Sequence, residues 1–335
     1  MTDVEATTAE RYRRFAVVEA RGASPLYEEW CLGISTDAEL LPLLDSLPSP
    51  RRQPNLLLGA ARLAGVPLQG YPSFRSFVLQ RWEGIRRTLE TRTTQTNEAG
   101  RCAVLLPLLA SISAAEKKPL ALIEVGASAG LCLYPDRYAY RYSPGPALAP
   151  AGGSTVPPLE CRVTGPAPLP DAVPEVAWRA GVDLHPLHAD NDEDVRWLES
   201  LVWPEQEYRA ERLRAALAVV RREPPLLVSG DLNEEIVPLV ARAPEDAVVV
   251  VFHSAVLAYL DAPGRARFTS TMTELTARRE NPVHWISNEG SGTLPGVAGA
   301  MPRDPRERDG SFVLQLDGRT VARTGPHGQS LEWLP

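Results

Sequence analysis

Residues 120–131 read Leu120-Ala-Leu-Ile-Glu124-Val-Gly126-Ala-Ser128-Ala-Gly130-Leu131, and this stretch decides the fold class. Its first half is a short apolar run of the kind that forms a strand buried on both faces. Its second half carries only Gly, Ala and Ser. Such a turn has no side-chain bulk, so its backbone N–H groups can approach a ligand closely. A buried strand running into a small-residue turn predicts an α/β unit with a ligand site at the end of the strand.

Downstream, Ala247–Phe252 is a β-branched run of buried-strand type, and Leu226–Ser229 and Val283–Ser287 are shorter strands. Helical segments lie between and around them: Asp192–Leu201, Glu207–Arg222, Glu234–Arg242 and Gly264–Arg279. Strands alternating with helices predict a parallel sheet with crossover connections. Residues 143–175 are rich in Pro and Gly and read as an insertion or irregular loop. Phe312–Leu316, Asp317-Gly318 and Arg319–Ala322 read as a terminal hairpin within a tail of residues 301–335.

Upstream, residues 1–118 read as helices, with Ala9–Glu19, Ser24–Gly33, Ala38–Leu44 behind an Asp37 cap, Asn55–Ala64, Phe74–Leu89 and Cys102–Ile112. Between the last two lies a polar block, Thr91-Arg-Thr-Thr-Gln-Thr-Asn-Glu-Ala-Gly-Arg101. Capping a helix needs one or two polar residues. The excess makes Arg92, Gln95, Asn97, Glu98 and Arg101 candidate pocket residues, with ordinary capping by Thr96 or Asn97 as the alternative. Asp136 and Tyr138, just beyond the glycine turn, are further candidates. The alternating Tyr138, Tyr140 and Tyr142 could instead pack along a strand.

At 335 residues the chain can hold one large domain or two moderate ones. Its net charge of −7 argues against a nucleic-acid partner. Four cysteines, none spaced as C-x-x-C, suggest neither a disulfide framework nor a zinc site. His185 and His188 are separated by Pro186 and read as surface or structural residues, so no metal is expected. With no apolar run of about 18 residues, no membrane span is expected, and with no apolar leader the cytoplasm is the expected location. Oligomeric state is not legible.

The turn resembles the first motif of class I S-adenosylmethionine-dependent methyltransferases, an acidic residue followed by alternate glycines, with Ser128 in the middle position. That resemblance implies a Rossmann-like parallel sheet over residues 119–300, with the helical portion over 1–118. It implies S-adenosylmethionine as cofactor and a small molecule as substrate. Glu124, Gly126, Ser128 and Gly130 would hold the amino-acid end. Asp183, closing Ala180-Gly-Val-Asp183, would hold the ribose. It lies about 50 residues after the turn, against ~20 in a minimal nucleotide fold, with residues 143–175 accounting for the excess. Asp231, after Leu226-Leu-Val-Ser-Gly, would lie near the adenine, and His253 and Ser254, the catalytic candidates, would close the fourth strand. His253 is the candidate base, since an unperturbed imidazole titrates near its working pH.

Gly126-Ala-Ser128-Ala-Gly130 also fits G-x-S-x-G, the nucleophile elbow of α/β-hydrolases, with Asp231 and His253 following in relay order. The preceding helical region and the lack of a His-Gly-Gly segment speak against it. The same fold could also run displacement, elimination or hydrolysis without methyl transfer, or serve as a non-catalytic binding module.

Taken together, several blocks resemble a bacterial family called domain of unknown function 2332, common in actinobacteria. They are Ser24-Pro-Leu-Tyr-Glu-Glu, Gln53-Pro-Asn-Leu-Leu, the polar block 91–101, Glu124-Val-Gly-Ala-Ser-Ala-Gly-Leu, Asp136-Arg-Tyr, Gly181-Val-Asp-Leu-His-Pro, Arg196-Trp-Leu, Trp203-Pro, Gly230-Asp and His253-Ser-Ala-Val-Leu-Ala-Tyr-Leu. The resemblance runs from about Ala9 to Glu289 and implies no assigned activity.

Overall fold

The computed structural model describes residues 6–95, 97–278, 281–290, 292–293 and 312–335. The chain divides into two compact units, residues 1–96 with 190–211, and residues 97–189 with 212–335. The helical portion was expected to run to 118. Helices do continue to Glu116, but the first compact unit ends inside the polar block, and residues 190–211 belong to it.

The first unit is helical: α1 (Thr8–Phe15), α2 (Pro25–Ile34), α3 (Leu40–Asp45), α4 (Pro54–Leu63), α5 (Tyr71–Gln80), α6 (Trp82–Thr91), α8 (Asp192–Leu201) and the start of α9 (Glu207–Arg222). Local chemistry sets the helix starts. Thr7 and Glu10 form a reciprocal capping box on α1, and Ser24 caps α2 with Pro25 at its first position. Asn191 caps α8, where Asp192, Glu193 and Asp194 meet the positive end of the helix dipole. The expected Phe74–Leu89 helix is two helices that bend at Arg81 (φ −112°, ψ 16°). One apolar stripe, Phe74, Val78, Trp82, Ile85 and Leu89, is buried through both. A one-residue bend leaves that spacing nearly unchanged, so periodicity does not reveal it. Trp30 stacks on Phe74 at 4.3 Å, and Trp203 lies against Tyr27 and Phe15 at 5.5 and 5.7 Å.

The first half of the polar block belongs to this unit. Arg92 pairs with Asp194 at 2.6 Å, and the Thr93 carbonyl accepts from the Trp197 indole at 3.1 Å. Thr94 Oγ1 donates to Gln53 at 3.1 Å. The first two bonds tie α8 to the block across about a hundred residues of sequence, and the third ties the block to the start of α4.

The second unit holds an eleven-stranded sheet. Its strands are β1 (Leu120–Val125), β2 (Tyr140–Ser143), β3 (Ala147–Leu148), β4 (Leu159–Thr164), β5 (Val176–Asp183), β6 (Leu226–Ser229), β7 (Val248–Ser254), β8 (Val283–Gly290), β9 (Phe312–Leu316), β10 (Arg319–Thr324) and β11 (Ser330–Trp333). The order is β3-β2-β4-β11-β10-β9-β8-β7-β1-β5-β6. Five strands, β6-β5-β1-β7-β8, are mutually parallel. Numbered among themselves they run 3-2-1-4-5, so the order reverses between β1 and β7. In open α/β sheets ligands bind outside the carboxyl ends of the strands at such a reversal.

The segment 143–175, expected to be irregular, contributes β3 and β4. Along β4, Leu159, Cys161 and Val163 are buried and Glu160, Arg162 and Thr164 are exposed. The strand period is present but sits among prolines and glycines. The terminal residues are not a separate tail either. β9 pairs antiparallel with β8, and β11 pairs in parallel with β4, so insertion and terminus together complete the sheet.

α7 (Cys102–Glu116) contacts the sheet at β4, β7 and β8. Residues 99–116 are long and apolar enough to cross a membrane by composition alone, yet most of this segment is buried inside the fold. α10 (Leu232–Val240) and α11 (Ala262–Thr276) cover the sheet with Ile236, Leu239, Phe268 and Met272, packed on Ile123, Val125 and Val251.

Candidate active site at the carboxyl edge

The glycine turn leaves β1 at the point where strand order reverses. Gly126, Ser128 and Gly130 all take positive φ, at 69°, 50° and 72°. Ser128 therefore adopts the left-handed backbone that a glycine would hold without strain. A Cβ on Gly126 would lie 2.4 Å from Val256 Cγ2, so that glycine is required by close packing.

The turn is clamped from within the unit. The N–H groups of Gly126 and Ala127 donate to Val182 O, and that of Gly130 donates to Ala127 O. Ser128 N–H donates to Asp183 Oδ2 at 2.9 Å, and His185 N–H donates to Asp183 Oδ1 at 2.9 Å. Asn97 bridges the turn, donating to Ala127 O at 2.6 Å and accepting from Leu131 N–H at 3.0 Å. Asn97 and Asp183, expected to face a ligand, thus both act on the turn itself. Asp183 remains half-exposed. Ser128 Oγ is buried and has no partner among the described residues.

β7 ends beside this turn. His253 is fully buried. Its Nδ1 is 2.6 Å from Glu289 Oε1, and its Nε2 accepts from Trp285 Nε1 at 3.0 Å. An indole N–H only donates, so Nε2 bears no hydrogen and Nδ1 is the donor to the carboxylate. Glu289 Oε1 also accepts from Val256 and Leu257 N–H at 2.9 and 3.2 Å, which fixes the chain after β7. Ala255 there has φ 59°. The ends of two neighbouring strands therefore each hold a non-glycine residue in the left-handed region, a strain that collects at functional sites. Ser254 Oγ accepts from Asn288 Nδ2 at 3.0 Å, and Asn288 Oδ1 accepts from Thr324 Oγ1 at 2.7 Å.

A family model described as "uncharacterized protein conserved in bacteria (DUF2332)" matches residues 9–333. The chain belongs to the DUF2332 family. No curated protein matches it.

Several residues read from sequence as ligand groups do other work in this DUF2332 chain. His253 has both ring nitrogens engaged and no solvent contact, so in this arrangement it has no lone pair for a substrate proton. The Ser128–Asp231–His253 relay is not assembled, because His253 bonds Glu289 and Trp285. Asp231 is exposed and caps α10, accepting from Asn233 N–H at 2.8 Å. The turn also opens no α-helix. Two short 3-10 turns, Leu131–Leu133 and Pro135–Arg137, lead into β2, so no helix dipole faces the glycines.

Asp136 pairs with buried Arg179 at 2.7 Å and with Arg137 at 2.7 Å, and Arg179 also lies over the Tyr134 ring. Tyr138 is fully buried and donates to Leu131 O at 2.6 Å. Both buttress the turn from behind. Glu98 is buried and accepts from Gly100 N–H and Arg212 at 3.0 and 2.9 Å. Arg92 lies in the first unit, and Gln95 is half-buried and partnered. Glu124 is 7 % exposed, with Oε2 unpartnered among the described residues. Burial pushes its carboxyl well up; the Cys132 thiol and Asp183 add to this, and Arg101 opposes it.

The residues that sequence reasoning passed over are on β8: Trp285, Ser287, Asn288 and Glu289. The signal is that three polar side chains close an apolar strand, and all three are buried. Burying such groups is costly unless each is tied into a network.

Proposed function

We propose that this protein binds S-adenosylmethionine at the carboxyl edge of its parallel strands and transfers a methyl group to a small molecule. The reading is carried by one arrangement: a glycine turn on the first strand of a 3-2-1-4-5 sheet, beside a half-exposed carboxylate closing the second strand. Two backbone N–H groups set the orientation of Asp183, and a fixed carboxylate suits a ribose diol.

The nucleoside half of the cofactor fits these residues, with Asp183 toward the ribose and the Gly230-Asp231 turn after β6 toward the base. The amino-acid half finds fewer open groups, because the N–H groups of Gly126, Ala127, Ser128, Gly130 and Leu131 are committed. When bound, the cofactor would supply an electrophilic methyl on a sulfonium. The protein's share is then placement of the acceptor, which can lower a barrier substantially without a strong base. Ser254, at the end of β7, can offer its hydroxyl hydrogen to an acceptor while Asn288 orients its oxygen.

The engagement of both His253 nitrogens favours a second reading, a ligand-binding module without catalysis. Calorimetric titration with S-adenosylmethionine and S-adenosylhomocysteine tests the pair. Micromolar binding is expected, weakened at least about tenfold in Asp183→Asn, or about 1.4 kcal/mol. No binding to the folded wild type removes the cofactor. Binding without methyl loss across a broad acceptor panel favours the module.

A further inference from the structure

We propose that Arg101 is a receptor for a carboxylate carried by the ligand of the carboxyl edge. Arg101 is only 6 % exposed. Its Nε donates to Pro326 O and its Nη1 to Ser254 O, each at 3.0 Å. These two carbonyls hold the guanidinium at the end of β7, next to the strained Ala255. Nη2 donates to no described residue, and no described carboxylate lies within ion-pair distance of this cation; the Phe312 ring lies 5.9 Å from the guanidinium carbon, and the Arg101 charge acts on the buried Glu124 carboxyl to lower it. Two other carboxylates of this unit are otherwise occupied. Glu98, three residues earlier, takes Arg212. Glu289 takes His253 and two backbone N–H groups.

A desolvated cation held by neutral carbonyls and an aromatic ring, with no carboxylate at ion-pair distance, is costly, and a bound anion relieves that cost. One edge of one guanidinium matches a single negative charge. The neighbouring cation Arg212 is already paired, so a monoanionic carboxylate fits better than a phosphate dianion. Glu98 and Gly100 build this position: Glu98 accepts from Gly100 N–H, and a Cβ on Gly100 would lie 2.6 Å from His327 O. The turn carrying Arg101 is thereby locked against the loop that supplies Pro326 O.

The inference rests on the same ligand edge as the proposed cofactor site but does not depend on the cofactor's identity. The carboxylate could be the cofactor's own or the acceptor's, and the assay separates them. Full-length protein is melted with sodium acetate, succinate, S-adenosylmethionine and decarboxylated S-adenosylmethionine, each against sodium chloride at equal ionic strength. Carboxylates are expected to raise the wild-type melting temperature with dose. Arg101→Gln should abolish the rise, and Arg101→Lys, which keeps the charge but not the fork, should weaken it about tenfold.

If the carboxylate belongs to the cofactor, S-adenosylmethionine binds at least about tenfold more tightly than its decarboxylated form, and Arg101→Gln erases the difference. If it belongs to the acceptor, both adenosyl compounds bind alike and succinate stabilises on top of either. Carboxylate binding with no adenosyl binding would end the methyltransferase reading and leave the anion site standing. The proposal is overturned if no carboxylate stabilises wild type beyond chloride, a comparison that needs no variant. It is equally overturned if a folded Arg101→Gln responds as wild type does.

Discussion

Replacing Ser128 by glycine should make the protein more stable. A non-glycine residue at φ 50° carries roughly 1 kcal/mol of left-handed strain. The Ser128 hydroxyl is also buried without a partner among the described residues, a cost of about 1–3 kcal/mol in mutational data. Glycine opposes this with about 0.5–1 kcal/mol of extra chain entropy in the unfolded state. The balance is a gain of about 1–3.5 kcal/mol. Ser128→Ala sheds the hydroxyl but keeps the backbone strain, so it should gain roughly half a kilocalorie less than glycine. Because the chain has two compact units, a melting curve alone does not assign a gain to one of them. Native-state hydrogen exchange of the β1 and β7 amides reports the second unit alone. Slower exchange in the order glycine, alanine, wild type is expected. A loss of more than about 1 kcal/mol in either variant would refute the reasoning, since it requires the hydroxyl to hold something important. S-adenosylmethionine binding should survive Ser128→Ala, whereas a hydrolytic nucleophile could not be replaced.

In the first unit, burial works to raise the Asp37 carboxyl. Bonds from Leu40 N–H, the Tyr71 hydroxyl, Glu39 N–H and Arg75 bring it down to about 2. Its contribution, about 2 kcal/mol, is present above the unfolded carboxylate value and lost as pH falls through about 2. Asp37→Asn should therefore be less stable at pH 7 by about that amount and converge on wild type in strong acid, as denaturant curves would reveal. A bond from Asp317 raises His284; burial opposes this, and the Asp317 and Glu116 charges add to the rise. That contribution is full below the ordinary imidazole value of about 6.5 and disappears as pH climbs through the higher folded value. An NMR titration of His284 should show a midpoint above 6.5, lowered in Asp317→Asn; a wild-type midpoint at or below 6.5 contradicts the assignment. Glu289→Ala strands the two backbone N–H donors and the His253 ring, and should cost at least about 3 kcal/mol, whereas Glu289→Gln, which can still accept, should cost less than half of that. Equal losses in the two would mean that the charge, rather than the acceptor, matters.

Helix positions were legible because their causes are local. Ser24 caps α2, Asp37 accepts from the Glu39 and Leu40 N–H groups where α3 begins, and the Asp192–Leu201 and Glu207–Arg222 segments coincide with α8 and α9. The buried strands β1 and β7 were legible as β-branched and aliphatic runs. Strand β4 was not, because prolines and glycines surround a six-residue alternation. Nor could local pattern show that β11 would pair with it, since pairing partners more than 160 residues apart leave no periodic trace.

Local pattern was enough to place a glycine turn at the end of a buried strand, a carboxylate at the end of a later strand, and helices ahead of them. Residue type and spacing act over a few neighbours, and those features depend on nothing further away. Folding is what set the partners of each polar side chain. It turned His253 from a base into a buried strut between Glu289 and Trp285, gave Asn97 and Asp183 the glycine turn to hold, and seated Arg101 against two carbonyls and the Phe312 ring. A histidine or arginine carries the same chemistry wherever it stands; whether its nitrogens are already engaged depends on residues that only folding brings within three ångströms.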